Sequence, residues 1–268
     1  MSDDVLEQPL IARAQGGDRA AIEQLLQRHQ SQLWRFALKL CRNEDDARDL
    51  VQETMITAAR AIRGFRGEAS LSSWLFTVAH SFCIKQRRHR QHEPARLESL
   101  DGDAADEVMS QPSPGPNPEE ATASAELGAA LDQAIAALSV PYREVLLLRD
   151  VEGLSAPEAA SVLGLSVDAI KSRLHRARAA VKERLTPSLR PSAAGGCPDI
   201  VTLFSRHLEG DIDQQLCTQM EQHLLTCPRC TATCDTLRKT LSLCRASPLP
   251  TVPRSLQESI RTALHALQ

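Results

Sequence analysis

The sequence lacks several features that would place it in a common functional class. None of its apolar runs approaches the ~18 residues of a membrane-spanning helix. Its start, MSDDVLEQPL, is acidic and lacks the layout of a signal peptide, so we expect a cytoplasmic protein with no membrane segment. Glycine-rich phosphate loops, nucleophile elbows and HExxH motifs are also missing. The sequence therefore gives little support to an enzymatic function.

Strand patterns and an excess of charge are missing as well. Leu and Ala dominate a chain of 268 residues, and alternating β-branched residues are few. This composition predicts an all-α fold, and the length allows two or three small domains. The 31 Lys and Arg residues nearly balance the 34 Asp and Glu residues, which argues against a general polyanion binder. Any contact with nucleic acid must then come from local basic patches.

Composition divides the chain into three helical blocks. The first block covers residues 10–90 and the second block covers residues 121–189. Between them, residues 91–120 are acidic and rich in proline, a composition that builds no core and predicts a flexible linker. The C-terminal block, residues 197–268, follows a break of small residues and holds six of the eight cysteines. Thiols in the cytoplasm stay mostly reduced, so these cysteines are better interpreted as metal ligands or redox sensors than as disulfides.

Residues 154–185 are typical of a helix-turn-helix whose second helix is basic. Gly164 lies in the turn, and Ser166 is a candidate N-cap for the second helix. Apolar residues recur at steps of three or four along that helix, which predicts that they share one buried face. The polar residues expected to face solvent are Lys171, Ser172, His175, Arg176 and Lys182. This geometry places side chains in a DNA major groove. An ordinary helical hairpin with a solvated basic face is the alternative.

The first block contains an acidic segment, DARDLVQE, at residues 46–53. On a helix Asp46, Asp49 and Glu53 line up on one side. That side is either a solvated face or a docking surface for a basic partner.

Aromatic residues are concentrated further along the same block. Six of the chain's eight aromatic residues lie between Trp34 and Phe82, and a dense group of cations follows at residues 85–90. Rings that stack bases, followed by cations that hold phosphates, suit single-stranded DNA. The alternative is that the rings are core, which we favour for Phe76.

Taken in order, these motifs resemble the bacterial extracytoplasmic-function (ECF) sigma factors. Residues 46–53 resemble the polymerase-binding helix of region two in that family. Residues 65–80, FRGEASLSSWLFTVAH, resemble its promoter-melting segment, and residues 84–90, IKQRRHR, its basic end. Residues 140–185 resemble region four. The resemblance covers about residues 10–185 apart from the linker.

The resemblance implies that the chain binds core RNA polymerase and directs it to promoter DNA. The residues implied to contact the polymerase are Asp46, Asp49, Gln52 and Glu53. Those implied to open and read the −10 element are Phe65, Arg66, Ser72 and Trp74, assisted by Lys85, Arg87 and Arg88. Those implied to meet the −35 element are Lys171, Ser172, Arg173, His175 and Arg176. At residues 78–81 the chain has VAHS where the family often has an arginine, so the −10 sequence preference stays open.

The C-terminal block carries an HxxxCxxC motif that predicts a metal site. His223 and Cys227 share a helix face, and Cys230 brings a second thiolate to the same ion, a ligand set that tetrahedral zinc favours. Cys197 lies upstream, across a helix predicted from Ile200 to Leu208, and would supply the fourth ligand. This layout resembles the zinc-binding anti-sigma domain. Buried structural thiols in a plain helical hairpin are the alternative.

Cys217, Cys234 and Cys244 are left over from this set. Extra thiolates near a site of soft ligands favour sensing, either by binding copper, cadmium or more zinc or by oxidation to a disulfide. Cys230 and Cys234 are four residues apart, so both could face one ion if the helix continues. Some ECF sigma factors carry a cysteine-rich extension that responds to metal, and this chain resembles that type. The resemblance implies a built-in regulator and leaves a separate anti-sigma partner open.

A stand-alone helix-turn-helix regulator with a metal-sensing tail is the alternative function. Such a protein would bind duplex DNA by itself, as a dimer on a two-fold site. It would need neither the acidic helix at residues 46–53 nor the aromatic segment, so these two features favour a sigma factor.

Overall fold

The computed structural model of this chain describes residues 2–41, 43–92, 118–185 and 197–266. Every element in these ranges is helical, which confirms the all-α prediction. The predicted linker falls largely on residues 93–117 and the small-residue break is residues 191–196; both lie outside the described residues. Within the described part of the chain, no helix has the length and hydropathy needed to cross a membrane.

Four helices and a short 3-10 turn (Ile62–Gly64) build the first block. The helices are α1 (Ser2–Gln15), α2 (Arg19–Leu40), α3 (Glu44–Ala61) and α4 (Leu71–His92). Asp18 caps α2 and Asn43 caps α3, each by accepting a hydrogen bond from a backbone N–H of the first turn. The rings of Phe36 and Phe76 meet in the core with centroids 4.9 Å apart, which confirms that Phe76 is a core residue.

The second block contains the predicted helix-turn-helix. Its helices are α5 (Pro118–Ala136), α6 (Val140–Leu146), α7 (Ala156–Leu163) and α8 (Val167–Leu185), with a π-helical turn (Leu147–Val151) after α6. Ser155 and Glu158 form a capping box at the start of α7, and Gly164 ends the helix at a φ of 63°. The Ser166 hydroxyl accepts from the Ala169 N–H at 3.2 Å, as expected of an N-cap.

The prediction that Lys182 faces solvent is wrong. Lys182 lies on α8 with a relative exposure of only 6%. The side of α8 that carries it is covered by the C-terminal block, whose first and third helices pack against α8. The helical period places Lys182 correctly on the side away from the block's own core, but it does not reveal that another block packs there.

The C-terminal block forms four helices, and the predicted helix from Ile200 to Leu208 is present. They are α9 (Ile200–Leu208), α10 (Gln214–Thr226), α11 (Pro228–Arg245) and α12 (Arg254–His265). The first three, here called the α9–α11 unit, share a small apolar core around Phe204, Met220 and Leu237. A core of this size rarely holds a domain together alone, so a metal ion is a physically reasonable supplement.

Helix α12 belongs instead to the main core, which it shares with the first two blocks. Val252, Leu256 and Ile260 are buried in this core, and α12 packs against α3 of the first block. Arg35 on α2 joins all three blocks: its guanidinium binds the Glu152 carboxylate at 2.8 and 3.1 Å, and donates to the Ser247 carbonyl at 2.7 Å. The three blocks therefore pack together in the described structure.

Breaking the ion pair between Asp150 and Arg178 should strongly destabilise the fold. Both side chains are at most 2% exposed, so Asp150→Ala leaves a buried guanidinium with only part of its charge compensated. We expect a loss of about 3 kcal/mol in the free energy of unfolding, measured by denaturant titration. Glu183→Ala, at an exposed position of α8, is the control and should change stability by less than about 0.5 kcal/mol. Equal effects of the two substitutions would contradict the assignment.

Candidate functional site

The acidic side of α3 is only partly open to solvent. Asp49 and Glu53 are exposed, and a cleft of about 180 Å³ lies beside them against Phe82 and Lys85 of α4. Asp46, in contrast, is buried, and its Oδ1 accepts from Gln86 Nε2 at 3.3 Å. Two of the four residues implied to bind the polymerase therefore present a free carboxylate at the surface.

Helix α12 covers the rest of this surface. The Ser259 hydroxyl donates to Gln52 Oε1 at 3.5 Å, and Arg48 of α3 donates to the Ser255 hydroxyl at 3.4 Å. Arg261 binds Glu23 of α2 at 3.2 Å. Helix α12 therefore lies across α2 and α3 and contacts the helix that carries the implied polymerase-binding residues.

The residues implied to read the −10 element differ in their accessibility. The Phe65 ring is buried against Trp74, with centroids 5.4 Å apart, so its face is not free to stack a base. Arg66 is exposed, and Ser72 is half-buried beside His29. The same surface touches the second block, because the Ser73 hydroxyl donates to Glu158 of α7 at 3.1 Å.

The basic end of α4 is described only in part. Lys85 is exposed, and its ammonium lies 5.3 Å from the centroid of the Phe82 ring. The side chains of Arg87 and Arg88 lie outside the described residues.

On α8, the residues implied to meet the −35 element fall on two sides of the helix. Ser172 and Arg176 are exposed and Arg173 is half-buried. Lys171 is bound to Asp211 of the C-terminal block at 2.9 Å. His175 is half-buried beside it with an Nε2 that has no hydrogen-bond partner, and burial together with the Arg178 charge lowers its pKa. The C-terminal block therefore occupies one side of this helix.

A buried cluster of charges attaches the C-terminal block to the second block. Arg178 binds Asp150 at 2.6 and 2.9 Å, the Ser205 hydroxyl at 3.0 Å and Glu209 at 3.0 Å. Arg149 also binds Glu209. Burial raises the pKa of Glu209, but the two guanidiniums outweigh that effect and hold the pKa below its usual value. Sequence reasoning missed Arg178 and Glu209 as a pair, because residues 31 positions apart carry no periodic signal of contact.

The four predicted metal ligands do come together. The donor atoms of Cys197, His223, Cys227 and Cys230 all lie within 4.8 Å of one another. His223 Nε2 is 3.2 Å from Cys230 Sγ, and the Cys197 and Cys227 sulfurs are 3.9 Å apart. Burial raises the pKa of Cys230 to about 12, so a metal cation would be needed to hold its thiolate. Three thiols and an imidazole at these distances can surround one metal ion.

The three remaining cysteines have different environments. Helix α11 continues through Cys234, but this residue is buried in the core of the α9–α11 unit, apart from the four clustered donors. Cys244 is buried in the main core. Burial raises the pKa of Cys234 to about 11 and that of Cys244 to about 12. Cys217 is half-buried, and its sulfur lies 3.4 Å from Nδ1 of His207.

Comparison with known families places three segments of the chain. Residues 25–93 match Sigma-70 region 2, and residues 128–181 match Sigma-70, region 4. Residues 197–231 match a zinc-finger family. The first two matches cover the acidic helix and most of the helix-turn-helix, and the third covers all four clustered Cys and His residues.

Known relatives carry names that agree with these matches. The ECF RNA polymerase sigma factor SigM of Mycobacterium tuberculosis is 34% identical over 63% of this chain and 80% of its own length. The RNA polymerase sigma factor NccH of Alcaligenes xylosoxydans is 35% identical over 72% of this chain and 99% of its own. The structure of CnrH in complex with the cytosolic domain of CnrY shares 29% identity over 68% of this chain and 97% of that one, with a TM-score of 0.48.

The two sigma-70 regions occur in their expected order, and a zinc-finger segment follows them. Sigma factors of this kind partner core RNA polymerase and promoter DNA. The shared identity with SigM and NccH extends over most of the length of each. This chain belongs to the ECF RNA polymerase sigma factors.

Proposed function

We propose that this sigma factor directs promoter-specific initiation in the cytoplasm and is held inactive in cis by its C-terminal block. In this proposal the metal or redox state of that block controls its release. The observation that carries the proposal is the position of α12 across α3, the helix that holds the implied polymerase-binding residues Asp49, Gln52 and Glu53. A polymerase surface would have to displace α12 to reach Gln52, while Asp49 and Glu53 stay exposed beside it.

The contact between α12 and the first block is mainly apolar. Leu256 and Ile260 are 3% and 4% exposed, and burying each side chain contributes about 1.5–3 kcal/mol. This gross gain is reduced by the entropy of ordering a short helix. A free-energy difference of a few kcal/mol between the form with α12 docked and the form with α12 released is enough to keep most molecules docked. A binding partner can still displace the helix.

A second contact acts on the DNA-binding side. Asp211 binds Lys171 on α8, at a position where a DNA phosphate would otherwise be held. Glu209 occupies Arg149 and Arg178. Carboxylates at these positions compete with phosphates for the same cations, so we expect the C-terminal block to weaken binding to the −35 element.

The spacing of the promoter elements supports the same conclusion. Duplex DNA rises 3.4 Å per base pair, so the −35 and −10 elements lie about 85 Å apart. In the described structure the first two blocks touch directly, through Arg35 with Glu152 and Ser73 with Glu158. The blocks must separate before both elements can be read at once. The compact arrangement is therefore the inactive form in this proposal.

Zinc is the metal that we propose for the Cys197, His223, Cys227 and Cys230 cluster. Three thiolates and an imidazole form one of the common tetrahedral ligand sets of structural zinc. When bound, the ion would link the start of α9 to the junction of α10 and α11. The small core of the α9–α11 unit then keeps Glu209 and Asp211 oriented towards the second block.

Substituting Ile260 by Asp should activate the sigma factor. A carboxylate in place of this buried side chain is costly to desolvate, so α12 should leave α3. We expect an increase of about tenfold or more in transcripts made in vitro with core RNA polymerase, the full-length variant and a supercoiled promoter template, which corresponds to about 1.4 kcal/mol.

Thr262→Asp is the matched control, because it introduces the same charge at an exposed position of α12. This control should transcribe like the unsubstituted chain. Equal transcription from all three proteins would contradict inhibition by α12. Tight binding to duplex DNA without any polymerase-dependent transcript would instead favour a stand-alone regulator.

Substituting Cys227 by Ser should weaken the metal site. The loss of a direct ligand should lower zinc affinity by more than the roughly 10–100-fold that is typical of a lost outer-shell partner. Competition with a zinc chelator measures this change, and promoter activity should then differ from that of the unsubstituted chain. Cys41→Ser, outside the C-terminal block, is the control and should change neither quantity. Unaltered zinc affinity and activity in Cys227→Ser would refute the assignment.

A further inference from the structure

Cys217 has two potential metal-binding neighbours outside the four-residue cluster. Its sulfur lies 3.4 Å from Nδ1 of His207 and 3.7 Å from Oε1 of Glu221. Cys217 and Glu221 are one turn apart on α10, and His207 is in the last turn of α9. We propose that these three residues form a second metal site, which takes a thiophilic divalent cation such as zinc or cadmium.

The separation of the donor atoms fits such an ion. With a metal–sulfur bond of about 2.3 Å and a metal–nitrogen bond of about 2.0 Å, tetrahedral geometry separates the two donors by about 3.5 Å. The observed 3.4 Å between Cys217 Sγ and His207 Nδ1 is close to this value. Glu221 is exposed, so its carboxylate can turn to the ion as a third ligand. A water molecule would complete the set.

The surroundings of the site distinguish it from the other thiols. Cys234 and Cys244 are each 1% exposed, so a metal from solution cannot reach their sulfurs without unfolding. The Cys197, His223, Cys227 and Cys230 cluster already supplies four protein ligands, as closed structural sites do. The Cys217 site has three protein ligands at the protein surface. It can therefore exchange metal while the α9–α11 unit remains folded.

The site is adjacent to the contact that holds the C-terminal block in place. His207 is two residues before Glu209, which binds Arg149 and Arg178. A divalent ion that replaces the thiol proton adds one positive charge next to this turn and fixes the end of α9 to α10. Metal at Cys217 therefore changes the position of the Glu209 carboxylate, which docks on the second block, and the electrostatic potential around it. This role as a signal input rests on the proposed function.

Zinc stoichiometry tests the site directly. The full-length chain is dialysed to equilibrium against zinc-buffered solutions, and bound zinc is measured by elemental analysis. We expect two equivalents for the unsubstituted chain and one for both Cys217→Ser and His207→Gln. The retained equivalent shows that the four-ligand site, and with it the α9–α11 unit, is intact in each variant. Gln219→Ala, an exposed position on α10, is the matched control and should keep two equivalents.

A single equivalent in the unsubstituted chain, or two in Cys217→Ser, would overturn the second site. The same proteins in the transcription assay separate this inference from the proposed function. Zinc above one equivalent should change transcription by the unsubstituted chain and leave Cys217→Ser unaffected; the same response in both would exclude the signalling role. Activation by Ile260→Asp does not depend on Cys217, so its failure would count against cis inhibition alone.

Discussion

The docking of the C-terminal block on the second block depends on the compensation of buried charge by the Glu209 carboxylate. Arg149 and Arg178 both bind this group, and Asp150 is the other carboxylate that binds Arg178. A buried guanidinium without a partner costs several kcal/mol, so the interface is stable only while Glu209 is in place. If the blocks separate as proposed, these groups become solvated and Asp150 can still bind Arg178. This contact can therefore open and close without leaving an unpaired charge in an apolar interior.

The two contacts of the C-terminal block rest on different physical interactions. Its docking on α8 is ionic, through Glu209 and Asp211. The part-exposed pair of Asp211 with Lys171 weakens as salt concentration rises, whereas the buried pair of Glu209 with Arg178 is screened much less. Its docking on α3 is apolar, through Leu256 and Ile260, and depends little on salt. Residues 246–253, with three prolines, connect the two without a helix. In the proposed function, DNA would compete for the ionic contact and polymerase for the apolar one.

Local sequence patterns predict the features that depend on interactions between residues close together in the sequence. The spacing of apolar residues predicts α8, and Ser166 is identifiable as its cap because capping involves only the next few residues. The HxxxCxxC spacing likewise predicts that His223, Cys227 and Cys230 come together, because a helix and a tight turn bring them to one place.

What the sequence could not predict are the contacts between blocks. The period of α8 places Lys182 on the side away from the block's own core, and the α9–α11 unit then covers it. The sequence predicts that Asp46 is part of an acidic surface, yet Asp46 is buried and accepts a hydrogen bond from Gln86 of α4. The pairing of Arg178 with Glu209 and the position of α12 on α3 join residues distant in the sequence. No periodicity encodes such contacts.

Amide hydrogen exchange of the full-length chain, with and without core RNA polymerase, tests the central claim most directly. If α12 and the polymerase compete for α3, polymerase binding should slow exchange in α3 and accelerate it in α12. Acceleration in α9 should accompany the separation of the blocks. Protection of α12 that remains unchanged in the polymerase complex would contradict the account, because α12 would then still occupy α3.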